Sequence, residues 1–217
     1  MKTRLFAALL VLCAVPLAAQ VPATSAGTPV AQTHTSDLGF SYVIPSDWEV
    51  VDTKPTLPAV RQKVENEAAS ADERKGAACT QVALTARHGD PASVVVVVAL
   101  PFDCFGQTFT DKDLPAFASG VAEGMKKSFD IQDPAYGAYT IGTHSLWIER
   151  AEGTLIAHPD IKRKLETVCS VLKKGAVCWM ALAADDAAMQ TFERGAVTLD
   201  DDAAAALVPS NAFQQKP

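Results

Sequence analysis

Hydrophobic and polar positions alternate over short stretches of the chain, and this pattern predicts strands that come in pairs. Within Leu38–Ile44, large apolar residues alternate with smaller ones, as in a half-buried strand that opens the folded region. Cys79–Arg87 and Ser93–Leu100 are predicted as the arms of a hairpin, because His88–Pro91 between them are residues typical of a turn. The second arm contains five consecutive valines, so we expect it to be central in a sheet and covered on both faces.

The second half of the chain shows the same kind of pattern. Tyr139–Ile141 and Ser145–Glu152 have the composition and alternation of strands. A further hairpin is predicted from Thr167–Leu172 and Ala176–Ala183, with Lys173–Gly175 as its turn.

Two segments between these strands have helical patterns of different strength. Asp111–Phe129 places apolar residues three and four positions apart, which predicts an amphipathic helix with one side on the sheet. Ala59–Arg74 is rich in good helix formers, but its apolar residues are mostly small. We therefore expect the second helix to lie on the surface.

Two acidic runs are interpreted as helix starts. Asp185 and Asp186 precede a segment that is predicted to be helical up to about Arg194. Asp200–Asp202 precede an alanine-rich stretch and are expected to cap one further short helical turn. Calcium loops, the alternative interpretation, space their oxygen ligands over alternating positions with a glycine between them, so capping is preferred.

The order of these elements predicts an α+β fold, a mainly antiparallel sheet with helices packed on it. A single domain is expected over residues 38–208. Residues 20–37 are mostly Ala, Pro, Thr, Ser, Val and Gln, so we expect a flexible leader. Residues 209–217 are expected to fray.

The first 19 residues have the pattern of an export signal. Lys2 and Arg4 precede an apolar run, Leu5–Val15, and a small residue, Ala19, offers a cleavage site, with Ala23 as second choice. The run is shorter than the roughly 20 residues that span a bilayer. We therefore expect residues 1–19 to be a cleaved signal peptide and the mature protein to be periplasmic or extracellular.

Lipidation at Cys13 is an alternative for this leader. It is disfavoured because Leu12 stands where a lipoprotein site has a small residue. Cys13 is then lost with the signal peptide.

The net charge excludes some partners. The chain carries 19 basic and 25 acidic residues. Removing Lys2 and Arg4 leaves 17 basic residues and a net charge of −8. Phosphate backbones and anionic lipids are bound by Lys and Arg, so we expect neither a nucleic-acid partner nor stable membrane insertion.

The pattern Gly-Phe-Ser-Tyr-x-x-Pro-Ser-x-Trp at Gly39–Trp48 resembles the start of PsbP-like and DcrB-like proteins. The resemblance covers Leu38–Asp52 and is otherwise carried by the order of the elements. It implies an exported or lumenal alpha-beta-alpha sandwich. Members are mostly non-enzymatic assembly, binding or envelope proteins, and no ligand residue of the family is carried over to this chain.

Four cysteines remain in the mature chain, and they are the clearest chemical signal. They allow three pairings. Cys169 and Cys178 lie on opposite arms of the second hairpin, whereas Cys79 and Cys104 flank the first. Pairing of these neighbours is the simplest topology, and we expect two disulfides. A zinc site and a redox-active pair are weaker alternatives, because the two-to-four residue spacings of zinc motifs and a Cys-x-x-Cys motif are missing.

Catalytic patterns are weak. The histidines fall in the leader, in a turn, at a strand start and in a His-Pro loop; they are His34, His88, His144 and His158. No Gly-x-Ser-x-Gly elbow occurs. We therefore assign no catalytic, cofactor or metal residue and expect no cofactor.

Two residues are candidates for a recognition surface. Arg150 lies between Glu149 and Glu152, where it either fixes a partner or pairs across strands. Trp48, in the Pro-Ser-Asp-Trp turn, either stacks on a ligand or covers the core.

Two functions follow as hypotheses. The first is a non-catalytic exported module that binds an envelope or secreted protein or a small ligand. The second is a secreted hydrolase or redox enzyme whose site involves His144, His158 or a cysteine. The sequence leaves the ligand, the physiological process and the oligomeric state open.

Overall fold

A computed structural model describes residues 31–55, 57–59, 62, 66 and 70–213. The predicted signal peptide, most of the predicted leader and half of the predicted helix Ala59–Arg74 lie outside these residues. The described strands are β1 (Gln32–Ser36), β2 (Phe40–Ile44), β3 (Glu49–Val50), β4 (Gln81–His88), β5 (Ser93–Pro101), β6 (Phe129–Ile141), β7 (His144–Leu155), β8 (Lys162–Val171), β9 (Gly175–Ala183), β10 (Ala196–Leu199) and β11 (Ala205–Ala206). The labelled helices are α1 (Ala71–Cys79), α2 (Phe102–Phe105), α3 (Leu114–Met125) and α4 (Asp186–Glu193).

Seven of the described strands form the main sheet, in the order β3-β4-β5-β9-β8-β7-β6. Every neighbouring pair is antiparallel, so the predicted α+β class with an antiparallel sheet is confirmed. The valine-rich strand β5 lies between β4 and β9, and most of its residues are buried. The central position predicted for this strand is therefore confirmed.

The two faces of the main sheet are covered differently. A small sheet, β1-β2-β10-β11, and helix α4 cover one face, where Trp179 and Phe40 meet edge to face with ring centroids 5.5 Å apart. Helices α2 and α3 cover the other, and Phe117 and Val121 of α3 are 1% exposed there. A 3₁₀ turn, Asp111–Asp113, leads into α3.

Both ends of the domain differ from the prediction. The prediction placed Gln32–Ser36 in the flexible leader, but these residues pair with β2 along their whole length. Strand pairing uses backbone hydrogen bonds, so it does not require the large apolar side chains that this segment lacks. At the other end, Ala212 is 1% exposed and Phe213 packs on Arg150. Residues 209–213 therefore pack on the domain, whereas a frayed tail was expected over 209–217; residues 214–217 lie outside the described residues.

Three elements also begin or end at other residues than the sequence predicts. Cys79 ends α1 instead of beginning a strand, and Phe129 begins β6 instead of ending a helix. Asp200–Asp202 form a turn after β10 and cap no helix; their carboxylates bind groups of other loops, among them the backbone N–H of Thr143, 2.7 Å from Asp202 Oδ2. Asp185, in contrast, caps α4 as predicted, since its side chain accepts a hydrogen bond from the N–H of Ala188 at 2.8 Å.

Both predicted disulfides are formed. Cys79 is joined to Cys104, and Cys169 is joined to Cys178. The second bond links directly opposed residues of β8 and β9, both 0% exposed, whereas Cys104 lies at the surface. Of the helices that the structure describes, none is long and apolar enough to cross a membrane.

Candidate functional site

A polar cleft of about 510 Å³ opens between helix α4 and the outer strands β6, β7 and β8. We call it the Arg150 cleft. Its wall on the sheet side includes residues of all three strands, and its other wall is the exposed side of α4. The lining residues are Gln132, Asp133, Arg150, Ala151, Glu152, Lys164, Asp186, Met189, Gln190 and Glu193.

Arg150 is the centre of the charged network in this cleft. Its Nε donates a hydrogen bond to Glu166 Oε2 at 2.7 Å, and its Nη2 donates to Glu193 Oε1. The ring of Phe213 lies 4.4 Å from the guanidinium carbon, in the geometry of a cation–π contact. The guanidinium therefore joins β8, α4 and the C-terminal segment.

Strand register explains why these groups meet. Arg150 of β7 lies directly opposite Glu166 of β8, so their side chains share one face of the sheet. Leu146 and Ile148 precede Arg150 at two-residue steps and are buried in the core on that face. The ion pair thus lies where the apolar core gives way to the cleft.

Glu166 is unusual because its carboxyl group is completely buried. Arg150 occupies Oε2, while Oε1 has no hydrogen-bond partner in the part of the chain that the structure describes. Burial, with the nearby carboxylate of Glu193, raises the pKa of Glu166 to about 8, although Arg150 opposes the shift. One guanidinium shared by two carboxyl groups does not fully compensate their desolvation.

A second ion-pair cluster lines the cleft mouth. Lys164 Nζ lies 2.8 Å from Asp186 Oδ1 and 3.2 Å from Glu152 Oε1. These hydrogen bonds raise the pKa of Lys164. The lining contains four carboxylates and two basic groups, so the cleft as a whole is negatively charged.

A bulge in β6 shapes the outer rim. The register with β7 shifts between Gln132 and Ala135, and Asp133 has a positive φ of 43°. A bulge re-aims side chains at a sheet edge. Here it brings Gln132 and Asp133 to the cleft.

No protein-family model and no curated protein matches this chain. Among solved structures, the chain is similar to the solution structure of cyanobacterial PsbP (CyanoP) from Synechocystis sp. PCC 6803. The match has a TM-score of 0.41 and 14% sequence identity, and it covers 77% of this chain and 88% of that chain. The PsbP-like resemblance predicted from Gly39–Trp48 agrees with this match. At this TM-score the likeness carries no argument about function, which must come from the chain's own residues.

Of the two candidate recognition residues, only Arg150 lies at a cleft. The side chain of Trp48 is buried, and its ring stacks on His88 with centroids 5.7 Å apart. Trp48 therefore lies in the core. It follows the turn at Pro45, in which the backbone N–H of Trp48 donates to the carbonyl oxygen of Pro45 at 3.0 Å.

The two histidines of the enzyme hypothesis do not come together. His144 begins β7 and His158 follows its end, and a strand of that length separates them by about 36 Å. His144 is held in place by backbone and carboxylate: Nδ1 lies 3.2 Å from the carbonyl oxygen of Val171, and Nε2 lies 3.3 Å from Asp200 Oδ2. Both ring nitrogens thus face acceptors, and the imidazole fastens the Asp200 turn to the sheet.

Sequence analysis missed most of the cleft. Glu166, Glu193, Lys164 and Phe213 were not singled out. One signal was available in the sequence. Arg150 lies an even number of residues after the apolar Leu146, so both side chains are expected on the same face of β7. A charged residue on a core-facing position needs a partner of opposite charge.

Proposed function

We propose that this protein is an exported, non-catalytic binding module that holds a small hydrophilic ligand in the Arg150 cleft. The observation that carries the proposal is that the charged groups of this cleft hold one another in place. Arg150 is fixed by Glu166 and Glu193, and Lys164 is fixed by Glu152 and Asp186. A polar cavity whose walls are fixed in this way loses little entropy when a ligand binds.

The same pairing argues for binding and against catalysis. A general base or nucleophile needs a group that can reach the reacting atom. In this cleft the buried carboxyl of Glu166 lies behind Arg150, and Glu193 is occupied by the guanidinium. The ion pairs hold the side chains of the cleft in fixed positions, and the paired carboxyl groups are not free to react with a substrate.

The charge of the cleft selects the class of ligand. Carboxylates outnumber basic groups in the lining, and Gln132 and Gln190 add amide groups. An anion would meet repulsion at this surface. We therefore expect a neutral or cationic ligand that is rich in hydrogen-bond donors.

Export is supported by the disulfides and by the N-terminal pattern. Two disulfides in a domain of this size are typical of oxidising compartments outside the cytosol. The basic and apolar residues of positions 1–19 have the order of a signal peptide. Fractionation of the native host, with the mass of the mature chain measured, tests this part of the proposal; an uncut chain with free thiols in the cytosol would overturn it.

Ligand binding is tested by NMR titration with three probes of different charge: citrate, trehalose and agmatine. We expect shifts of cleft resonances such as the Gln132 side-chain amide with trehalose or agmatine and not with citrate. Gln190→Leu should weaken the response at least fivefold. The matched control is Gln107→Leu, at an exposed loop position, which should leave it unchanged. Binding of citrate alone, or no response to any of the probes, would contradict the proposal.

A further inference from the structure

The face of the main sheet that lies opposite the Arg150 cleft contains two buried oxygen atoms that lack partners. Glu149 of β7 and Thr167 of β8 are directly opposed in register, and they are 6% and 1% exposed. Within the described ranges, neither Glu149 Oε2 nor Thr167 Oγ1 has a hydrogen-bond partner. A buried polar atom without a partner costs about 1–3 kcal/mol. Two such acceptors side by side suggest that a donor belongs between them.

Two aromatic rings stand beside these oxygens. Tyr136 of β6 is directly opposite Glu149, and it is 49% exposed. Trp147 lies two residues before Glu149 on the same face of β7, and its ring centroid is 6.3 Å from that of Tyr136. Aromatic faces attract cations. Two aromatic rings that can stabilise a positive charge therefore lie next to the buried Glu149 carboxylate.

Among the described residues, the cation whose charge acts on Glu149 is Lys126, and it is bound to another carboxylate. Lys126 Nζ donates to Glu123 Oε1 at 2.6 Å, and it acts on Glu149 only through space. Burial raises the pKa of Glu149 to about 7, and Lys126 offsets only part of this effect. Burial thus disfavours the charged form of Glu149, and the described cation compensates this cost only in part.

We propose that Glu149, Thr167, Tyr136 and Trp147, the Glu149 site, bind an alkylammonium group such as the side chain of a lysine on a partner protein. An ammonium group has three hydrogen-bond donors. Both oxygens are closed to solvent in the free protein, so the exposed Tyr136 ring must turn aside for the group to enter. One donor is then directed to Glu149 Oε2 and another to Thr167 Oγ1, while the Tyr136 ring covers the charge. This site lies on the other face of the sheet and is independent of the Arg150 cleft.

The indole N–H resonance of Trp147 provides a local probe, because Trp48 and Trp179 are 5% and 0% exposed. Trp147→Phe assigns the signal. At pH 8 we expect Nα-acetyl-lysine methylamide to shift it in a saturable manner. The matched uncharged compound, Nα-acetyl-norleucine methylamide, should not shift it. Equal shifts with both compounds would show that the site binds the aliphatic part of the side chain and does not recognise its charge. That result would overturn the proposal.

Substitutions locate the binding energy. Glu149→Gln should weaken the binding of Nα-acetyl-lysine methylamide at least tenfold. Asp130→Asn is the matched control, since Asp130 is an exposed carboxylate on β6, and it should change affinity less than twofold. Unchanged affinity in folded Glu149→Gln protein would overturn the assignment.

Two further variants keep the test decisive if Glu149→Gln does not fold. Thr167→Val keeps the shape of the side chain and removes Oγ1, so it should weaken binding severalfold. Lys126→Ala removes a competing positive charge, so it should tighten binding. The opposite sign for either variant would contradict the proposed contacts.

A comparison of ligands distinguishes the two sources of an alkylammonium group. If a lysine of a partner protein is the natural occupant, Nα-acetyl-lysine methylamide should bind more tightly than n-butylammonium, because its backbone amides add contacts. Equal affinities would identify a free amine as the ligand class. Binding of neither compound would overturn the proposal.

Discussion

Arg150 Nε and Glu166 Oε2 are joined by a 2.7 Å hydrogen bond that links the cleft to the interior of the sheet. The Arg150 side chain is 39% exposed, whereas that of Glu166 is 0% exposed. When the buried carboxyl of Glu166 is ionised, a guanidinium that is accessible to solvent thus compensates its charge. Breaking such a pair costs more than forming it gains, because the buried partner is left alone.

The buried carboxyl of Glu166 should make stability depend on pH. Its pKa is raised in the folded protein to about 8, from an ordinary value of 4.5. Between these values the unfolded chain binds fewer protons than the folded chain, so stability falls as pH rises from about 4.5 to 8. We expect a loss of a few kcal/mol over this window. Glu166→Gln, which mimics the protonated acid, should flatten the dependence in urea unfolding measured between pH 5 and 8.5; an unchanged slope would contradict the assignment.

Removing Arg150 should destabilise the protein, and the effect should be larger at high pH. Arg150→Met leaves the carboxyl groups of Glu166 and Glu193 without their shared cation, at a cost of about 3 kcal/mol at pH 8. At pH 5 the cost should be smaller, because Glu166 is then protonated. Urea unfolding at both pH values measures this. Adding Glu166→Gln to Arg150→Met should recover part of the loss at pH 8; an additive loss would mean that the two residues do not interact.

Strand pairing could be predicted from the sequence because it depends on local signals. The turn residues His88–Pro91 and Lys173–Gly175 separate segments with strand composition, and both hairpins formed as expected. The cysteine pairs followed from these hairpins. The first part of β6 was missed because Phe129–Ala138 contains two aspartates, a proline and a glycine, which are uncommon in strands, and lies at the sheet edge.

The functional groups were harder to predict because they depend on contacts between distant segments. Glutamate is rarely buried, so its residue type alone would place Glu166 at the surface. Its buried position is tolerated because Arg150 lies directly opposite on β7. Gln32–Ser36 and Phe213 have little local signal, yet they are ordered by β2 and by the Arg150 guanidinium. Such neighbours are not visible in a single segment.

The two disulfides should differ in their resistance to reduction. Cys104 is exposed, whereas Cys169 and Cys178 are 0% exposed. A reductant must reach a sulfur atom to break a disulfide, as in thiol–disulfide exchange. Under native conditions a phosphine reductant should therefore release Cys79 and Cys104 first, as measured by timed alkylation and mass spectrometry. In denaturant both bonds should be reduced at similar rates; earlier native release of Cys169 would contradict the structure.

Docking of the C-terminal segment should depend on the glycine at position 137. A Cβ atom there would lie 2.5 Å from the carbonyl oxygen of Ala212 and 3.0 Å from Ile148 Cγ2. Gly137→Ala should displace residues 209–213 and destabilise the protein by about 1–3 kcal/mol. Urea unfolding and amide exchange at Ala212 measure these effects. Ala135→Ser, an exposed position on the same strand, should have little effect, and a neutral Gly137→Ala would show that the segment is not tightly docked.

Thr167→Val should raise stability, although it removes a polar group. Thr167 Oγ1 is buried and has no hydrogen-bond partner among the residues that the structure describes. Valine has almost the same shape and leaves no polar atom to desolvate, so the gain should be about 1 kcal/mol. Thr140→Val, at an exposed position of β6, is the control and should change the free energy of unfolding by less than about 0.5 kcal/mol. A protein that is more stable but binds the lysine compound more weakly would show that this hydroxyl is kept for binding and not for folding. A loss of stability would instead mean that the hydroxyl already has a partner in the free protein.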